Sequence, residues 1–400
     1  MSIKKIKTKE EFKDFVKSTK KIKGYKNPIG FGIARVDKGQ LNRNKILQAS
    51  FAFLNWNENF GTAAVFIAAL NECERKVDFS KSEQIFEVDK RFLKQCIKAF
   101  NPFLDEVTED NHKNIQVIEY LYSLIDRDEV DESDYRVVFI FEDGAPKSVE
   151  CVYMKLYALS LGKAKLRSLN LNGAFGVLEN VAWSGNIPIE LDWLRANEIA
   201  LKLEGEYPNI DSVDKFPRFL QHIIPANNTR ILDSSKVRMG AQLSNGTTVM
   251  PGASYINFNA GTLGPVMVEG RISSSAIVGS GSDVGGGASI LGVLSGTDGN
   301  PVSIGENTLL GANSVTGIAL GDGCIVDAGI SILEGTKITI TENEINKIND
   351  VNNKKLEVKD TYKGVELSAL NGLHFRQDST NGQIKAFKSK REIKLNEDLH

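Results

Sequence analysis

The sequence predicts an α/β N-terminal domain over residues 1–225, a narrow coil of short strands over 226–340 and a short β C-terminal cap over 341–400. The first observation behind this fold class is that helical and strand periods alternate before residue 225. The second is that aliphatic residues recur every six positions from Ile231 onward. The third is that this repeat stops near residue 340, so a separate element must follow it.

The N-terminal domain mixes predicted helices and strands. Apolar residues three and four positions apart predict helices over SEQIFEVDKRFLKQCIKAFNPFLDEV, HKNIQVIEYLYSLI and WLRANEIALKLEGEYP. Residues with β-branched and aromatic side chains predict strands over YRVVFIFED and KSVECVYMKLYALSLG. The segment FPRFLQHIIPANNTRIL then joins this domain to the coil. Such a mixture is typical of an α/β or α+β domain.

The coil is predicted from four phased series of aliphatic residues: Ile231, Val237, Leu243 and Val249; Ile272, Val278, Val284 and Ile290; Ile304 and Leu310; Leu320, Val326, Ile332 and Ile338. A period of six fits neither an α-helix nor a single flat strand. It predicts short strands joined by tight turns, with aliphatic side chains inside and glycines at the corners. Two stretches, YINFNAGTLGPVMVE and GVLSGTDGNPV, fall out of phase and are predicted to be loops.

The C-terminal extension contains HFRQDSTNGQIKAF, two alternating runs about an Asn-Gly pair. This pattern predicts a β-hairpin. We expect the hairpin to cap the open end of the coil, because an uncapped strand edge invites aggregation.

Composition excludes several classes of function. Lys and Arg total 49 against 51 Asp and Glu, so bulk charge would recruit neither nucleic acid nor an anionic membrane. The N-terminus MSIKKIKTKEEFKDF lacks the apolar core of a signal peptide, and no run approaches the ~20 apolar residues of a spanning helix. We therefore expect a cytoplasmic protein. The four cysteines form no CxxC pair and are predicted to be buried thiols rather than zinc ligands or disulfides.

The period of six resembles that of the hexapeptide-repeat acyltransferases. The resemblance implies that the coil is a left-handed parallel β-helix, and that the protein moves an acyl group from a thioester to an amine or a hydroxyl. Many of these enzymes use a histidine as general base. No histidine lies between residues 225 and 340, and His222 stands just before the coil. The same absence argues against the zinc-dependent hydratases that share this fold, so the candidates are carboxylates.

Glu269 is the leading candidate among the carboxylates of the coil. It lies in an out-of-phase segment, two residues before Arg271, whereas Glu306 and Asp322 occupy polar turns where an acid commonly faces solvent. A partly desolvated Glu269 could accept the proton of an amine nucleophile. It could instead attack the thioester and form a mixed anhydride. Both roles stay open at this point.

Five strings in order, NFNAGTLG, MVEGRIS, GSDVGGGASILGVLSG, LLGANS and EGTKI, resemble the tetrahydrodipicolinate N-succinyltransferases, in their longer form with a large N-terminal domain. The resemblance implies transfer of succinyl from succinyl-CoA, the co-substrate, to the amino group of tetrahydrodipicolinate in its ring-opened form, L-2-amino-6-oxopimelate. This reaction belongs to the diaminopimelate route to lysine. The resemblance also implies a homotrimer, with each active site in a cleft between neighbouring coils.

The resemblance assigns roles to individual residues. Glu269 becomes the catalytic carboxylate and Arg271 the group that holds a ligand carboxylate. The positions that correspond to donor binding are Gly286, Ser289, Ala312, Asp327, Ala328, Gly335 and Lys337. Relatives often carry an acid after TVM that helps to bind a divalent cation, but here that stretch reads PGA. We therefore expect no permanently bound cofactor and no required Mg²⁺.

Two alternatives come from other classes of protein. One is a hexapeptide acyltransferase that acts on an amino sugar or a nucleotide sugar, although such enzymes usually supply a histidine from the coil. The other is a purely structural solenoid, which would have no need of MVEGR in a break of phase.

Overall fold

The computed structural model describes residues 3–293, 297, 299–390 and 395. It divides into two compact units. Unit 1 comprises Met1–Ala158 and Leu169–Phe216, and unit 2 comprises Leu159–Ser168 and Pro217–His400. In the part of the chain that the structure describes, no helix is both long enough and apolar enough to cross a membrane.

Unit 1 is built from helices and antiparallel strands. Its helices are α1 (Lys9–Thr19), α2 (Phe60–Glu72), α3 (Lys90–Phe100), α4 (Lys113–Asp126), α5 (Val149–Ser160), α6 (Ala174–Val177) and α7 (Leu191–Glu204). Its strands are β1 (Gly30–Lys38), β2 (Ile46–Trp56), β3 (Glu83–Glu87), β4 (Tyr135–Ile140), β5 (Val181–Ser184), β6 (Ile187–Glu190) and β7 (Ser212–Asp214). The strands form one sheet in the order β2-β1-β4-β3 and a smaller one in the order β6-β5-β7.

The core of unit 1 is rich in aromatic side chains. Phe31 on β1 meets Phe66 on α2 edge to face with the ring centroids 5.9 Å apart, and Phe66 meets Phe92 on α3 at 5.7 Å. These rings are buried together with Phe139 of β4. Aromatic pairs in this geometry add to the hydrophobic free energy of burial, so they fix helices α2 and α3 on the sheet.

Several predictions for unit 1 are confirmed. Helix α4 and helix α7 form where the periodicity predicted them, and strand β4 covers the predicted YRVVFI run. Helix α7 ends at Gly205, whose φ of 77° lies in the left-handed region that glycine adopts without strain. The three cysteines of unit 1 are free and buried, as expected, and so is Cys324 of unit 2.

Two predictions for unit 1 are wrong. The segment 147–162 forms helix α5 and not a strand, because it is buried on all sides and its apolar residues show no one-sided period. Its Lys155 is buried too, and Nζ donates to Asp143 Oδ1 and to two backbone carbonyl oxygens. The predicted helix over 82–107 begins only at Lys90, where the Asp89 side chain caps it, and β3 precedes it.

Unit 2 contains the coil. Its strands are β8 (Arg230–Ile231), β9 (Thr248–Val249), β10 (Tyr255–Ile256), β11 (Gly261–Thr262), β12 (Val266–Val268), β13 (Arg271–Ile272), β14 (Ile277–Val278), β15 (Ser282–Val284), β16 (Ser289–Ile290), β17 (Ser303–Ile304), β18 (Leu309–Leu310), β19 (Val315–Thr316), β20 (Ile325–Val326), β21 (Ser331–Ile332) and β22 (Lys337–Thr339). From β8 to β21 neighbouring strands pair in parallel.

The chain visits three sheets in turn, so the coil has three faces. Face 1 contains β9, β12, β15, β18 and β20, face 2 contains β10, β13, β16, β19 and β21, and face 3 contains β11, β14 and β17. Nearly all residues of the four aliphatic series point inward and are buried, while Ile231 and Leu243 at the first coil are part-buried. The predicted repeat of six is therefore confirmed as one aliphatic side chain per face.

The prediction that YINFNAGTLGPVMVE forms a loop is wrong. This stretch contains β10, β11 and β12, all paired within the coil. Its phase changes because the corner after β12 is short: Val268 and Ile272 face inward on successive faces only four residues apart. The stretch GVLSGTDGNPV does lie between β16 and β17, but Leu294–Gly296 and Asp298 fall outside the described residues.

The C-terminal extension continues face 1. Helix α8 (Glu342–Asp350) is followed by β23 (Tyr362–Lys363), β24 (Leu373–Gln377) and β25 (Ile384–Lys388). The predicted hairpin is confirmed, since β24 and β25 pair antiparallel. Strand β24 also pairs in parallel with β20 of the coil, so the hairpin covers the outer edge of that strand.

Candidate active site

Glu269 stands at the short corner between β12 on face 1 and β13 on face 2. Its backbone N–H donates to the Val284 carbonyl at 2.8 Å, which stacks this corner on the next coil. The side chain is half-buried, and within the described residues its carboxylate has no hydrogen-bond or ion-pair partner. A carboxylate held at a rigid corner and left without a partner is available to a ligand.

The corners between face 1 and face 2 form a column along the coil. Strand register aligns Val268 with Val284, Leu310 and Val326, so the next residue of each coil also aligns. The aligned residues, called here the corner column, are Glu269, Gly285, Gly311 and Asp327. Two glycines thus separate two carboxylates, which leaves an edge of bare backbone between them.

Three predicted donor positions lie beside the corner column. Gly286, Ala312 and Ala328 each come one residue after a member of the column. Backbone hydrogen bonds stack them, since Asn313 N donates to Gly286 O and Gly329 N donates to Ala312 O, both at 2.9 Å. A Cβ on Gly286 would lie 3.5 Å from Glu269 Oε2, which places this backbone directly beside the carboxylate.

Arg271 and Ser289 are brought together on face 2. They are paired neighbours on strands β13 and β16, and both point outward. Arg271 is exposed, and in the described part of the chain its guanidinium has no hydrogen-bond or ion-pair partner. It lines a groove of about 500 Å³ together with Tyr255, Asn257, Ser273, Ser274, Gly292 and Val293.

Both carboxylate oxygens of Asp327 contact side chains of the hairpin. His374 Nε2 lies 2.7 Å from Asp327 Oδ1, and Arg376 Nε donates to Oδ2 at 2.7 Å. These contacts lower the pKa of the Asp327 carboxyl, although its partial burial acts in the opposite direction. Asp327 therefore stays ionised and fixes Arg376 beside the end of the corner column.

The two remaining predicted donor positions lie farther along the chain. Gly335 follows β21 and Lys337 opens β22, so neither stands at a corner between face 1 and face 2. Both are exposed, and the backbone of Lys337 pairs with Lys363 of β23. The structure thus brings Glu269, Arg271, Gly286 and Ser289 together but does not bring these two into the same corner.

The other titratable groups considered from the sequence have structural partners or are enclosed. Burial lowers the pKa of His222 to about 4, so this imidazole is neutral at neutral pH and a poor proton acceptor. Asp233 accepts hydrogen bonds from the N–H and the hydroxyl of Ser235. Asp322 Oδ1 accepts from Glu306 N at 2.8 Å and joins two coils.

The TVM stretch does not fit a divalent cation. In the described residues no group of three His, Cys, Asp or Glu side chains could hold a metal ion. In this stretch the Gly252 carbonyl oxygen accepts a hydrogen bond from Lys236 Nζ at 2.7 Å. An ammonium group already occupies this position, which disfavours a second cation.

Comparison with known proteins decides the family. The model for the N-terminal domain of tetrahydrodipicolinate N-succinyltransferase matches residues 10–176, and the model for its middle domain matches 178–218. A 2,3,4,5-tetrahydropyridine-2,6-dicarboxylate N-succinyltransferase from a Nitratiruptor species is 65% identical, over 99% of this chain and 100% of the relative. This chain belongs to the tetrahydrodipicolinate N-succinyltransferase family.

Two further comparisons, which cover nearly the whole chain, agree with this family. A Campylobacter jejuni relative with the same name is 57% identical over 99% of this chain and 100% of its own. A crystal structure of a Campylobacter jejuni protein assigned as a 2,3,4,5-tetrahydropyridine-2-carboxylate N-succinyltransferase is 56% identical and gives a TM-score of 0.90 over 98% of this chain and 100% of that chain. The hexapeptide repeat of succinyl-transferase matches residues 301–334, which confirms the predicted repeat.

The sequence alone missed four side chains near the family motifs. Tyr255 and Asn257 line the groove beside Arg271, and His374 and Arg376 contact Asp327. The signal for Tyr255 is the register of the coil, since it stands sixteen residues before Arg271 and pairs with it. The repeat of the coil could not have predicted His374 and Arg376, because these residues belong to the hairpin.

Proposed function

We propose that this chain transfers the succinyl group of succinyl-CoA to the amino group of tetrahydrodipicolinate, in its ring-opened form L-2-amino-6-oxopimelate. The observation that carries the proposal is the full-length identity of 65% to a relative named for this activity. The reaction belongs to the diaminopimelate route to lysine. An amino-sugar acceptor is not favoured, because the similar relatives are named for the tetrahydropyridine dicarboxylate.

Glu269 is proposed as the catalytic carboxylate in one of two roles. As a general base it takes a proton from the acceptor amine, whose nitrogen then attacks the thioester carbonyl, and the C–S bond breaks to release CoA. As a nucleophile it attacks the thioester itself, CoA leaves, and the amine then cleaves the resulting anhydride. Either role is supported by the Glu269 carboxylate, which has no hydrogen-bond or ion-pair partner among the described residues.

A measurement without acceptor separates the two roles. When the enzyme is mixed with succinyl-CoA alone, the anhydride route releases one CoA thiol per active site in a rapid burst. The base route releases none, because no amine is present to attack. Rapid-mixing thiol detection distinguishes these results directly.

The donor is proposed to lie along the corner column. The bare backbone at Gly285, Gly286 and Gly311 gives a long ligand close access to main-chain hydrogen-bonding groups. Ser289, Ala312, Asp327, Ala328, Gly335 and Lys337 are the further donor positions carried over from the family. Arg271 is proposed to hold a substrate carboxylate through its planar guanidinium.

The activity itself is tested by thiol release. With succinyl-CoA and tetrahydrodipicolinate, we expect CoA thiol to appear continuously and a succinylated product to accumulate. With acetyl-CoA, or with an amino-sugar acceptor in place of tetrahydrodipicolinate, turnover should be far lower. Equal turnover with an amino sugar would instead support the alternative acceptor.

We predict a homotrimer. Exposed apolar side chains on unit 2, such as Leu232, Leu263 and Leu333, support an assembly that covers part of this surface. Light scattering should give a mass near three times the 44.0 kDa of the chain. A stable monomer at micromolar concentration would contradict the prediction and a shared active site.

We predict that no divalent cation is required. The contact of Lys236 with the Gly252 carbonyl supports this, since it sets an ammonium group in the stretch to which the family resemblance would assign a metal. Turnover should be unchanged after treatment with a chelator and removal of the chelated metal. Loss of turnover that magnesium restores would show the prediction to be wrong.

We also propose that the coil is left-handed, that the chain has three domains and that the protein is cytoplasmic. The three parallel faces and the hexapeptide match support a left-handed β-helix as the form of the coil. The division into domains 1–225, 226–340 and 341–400 is proposed on the change of period along the sequence. The proposed substrates, a coenzyme A thioester and an amino-acid precursor, support a cytoplasmic location.

A further inference from the structure

The groove beside Arg271 has a lining rich in hydrogen-bond donors. Tyr255 and Arg271 are paired neighbours on β10 and β13, so their side chains stand next to each other on face 2. Asn257 and Ser273 each follow one of these two residues by two positions and line the same groove. Among the described residues that line it, none is acidic.

The orientation of the Asn257 amide is fixed by its neighbours. Its Oδ1 accepts a hydrogen bond from the Phe258 N–H at 2.9 Å and a longer one from Arg238 at 3.4 Å. A backbone N–H can only donate, so the atom that faces Phe258 must be the oxygen. The Nδ2 group of Asn257 is then left as a donor, and it has no partner among the described residues.

The other polar groups of the groove have the same character. The Arg271 guanidinium and the hydroxyls of Tyr255 and Ser273 have no hydrogen-bond partner in the described ranges. A guanidinium, a phenol, an amide N–H and a hydroxyl together suit a carboxylate, which accepts several hydrogen bonds and carries a negative charge. They suit an ammonium group poorly, since the described lining of the groove offers it no anion.

We propose that Tyr255 and Asn257 complete a carboxylate-binding pocket around Arg271, next to the corner that carries Glu269. The inference rests on the proposed function, in which both substrates carry carboxylates. The pocket takes either the terminal carboxylate of the succinyl group or a carboxylate of the acceptor. Tyr255 and Asn257 are thereby residues that determine substrate specificity.

The sharpest test is Asn257→Asp. An aspartate keeps the oxygen that accepts from Phe258 and Arg238, so the local fold is preserved, but it replaces the donor with a negative charge. Tyr255→Phe is the second variant and removes only a hydroxyl. Asn307→Asp is the matched control, because it adds the same charge at an exposed corner of the coil outside the groove.

Steady-state kinetics with each substrate varied in turn identifies which carboxylate is bound. If the pocket holds the succinyl carboxylate, the KM for succinyl-CoA should rise about 100-fold in Asn257→Asp and about 10-fold in Tyr255→Phe, the range for hydrogen bonds to charged groups. If it holds the acceptor, the KM for tetrahydrodipicolinate should rise by these factors instead. Either result supports the pocket, and Asn307→Asp should match the parent in both.

Two results would overturn the inference. One is that both KM values of Asn257→Asp and Tyr255→Phe stay within about twofold of the parent, since a lost hydrogen bond to a charge costs more than that. The other is a fall in kcat alone, which would indicate a structural role. If the parent itself fails to release CoA in the presence of tetrahydrodipicolinate, the proposed function fails instead, so the two failures are distinguishable.

Discussion

Glu269→Gln should lower turnover by roughly 10²-fold or more, because positioned acid–base groups commonly contribute ~10²–10⁴. Glutamine keeps the size of the side chain but can neither accept the amine proton nor attack a thioester effectively. The KM for succinyl-CoA should change little, since the corner column that is proposed to bind it stays intact. The measurement is steady-state thiol release at saturating acceptor.

A comparison variant separates chemistry from binding. Arg271→Lys replaces a planar two-pronged donor with a point charge and should mainly raise a KM. The assignment of Glu269 would be contradicted by a folded Glu269→Gln enzyme that keeps more than about a tenth of parental turnover, well above the loss expected for a positioned acid–base group. In that case the search would turn to the other carboxylates of the coil.

Gly270→Ala should lower both the stability and the turnover of the protein. A Cβ at Gly270 would overlap the Ala288 carbonyl oxygen and lie 2.8 Å from the Gly285 carbonyl oxygen, and both are backbone atoms that cannot move alone. We expect a loss of roughly 3 kcal/mol, hence a thermal midpoint lower by roughly 10 °C. The corner that carries Glu269 would shift, and misplacement of about 1 Å can cost ~10²-fold in turnover.

Gly286→Ala is the matched control for stability. Among the described residues its Cβ would meet only Glu269 Oε2, at 3.5 Å, which is an ordinary van der Waals contact. Its thermal midpoint, recorded at the same protein concentration, should lie within about 2 °C of the parent, because the substitution is expected to cost less than about 1 kcal/mol. Equal midpoints for Gly270→Ala and the parent would show that the corners are less tightly stacked than the structure indicates.

The coil could be predicted from the sequence because each face buries one aliphatic side chain, which leaves a period that survives without any contact information. Helix α5 could not, because burial on all sides removes the one-sided pattern that distinguishes a helix from a strand. The segment before Glu269 was interpreted as a loop for a related reason. Its short corner shifts the period without interrupting the strands.

The candidate site, too, could be predicted only in part from the sequence. Glu269 and Arg271 were reached through a motif, and their closeness follows from the two-residue spacing. Tyr255 lies beside Arg271 only because one turn of the coil here takes sixteen residues, whereas Val284 and Leu310 are paired across twenty-six. Turn length depends on corners and insertions, so the residues that share a groove become visible only when the strand register is known.

The corner column fixes the distances between side chains along the coil. Glu269 and Asp327 stand three strand spacings apart, about 14 Å at ~4.8 Å per parallel strand, and the two glycines between them add no side chain. Because each coil contacts mainly its immediate neighbours, whole coils are the natural unit of change. Removing or adding one coil between the two carboxylates would alter their separation in steps of about 5 Å while preserving the interior packing. The distance from the hairpin to Glu269 is thus set by a whole number of coils.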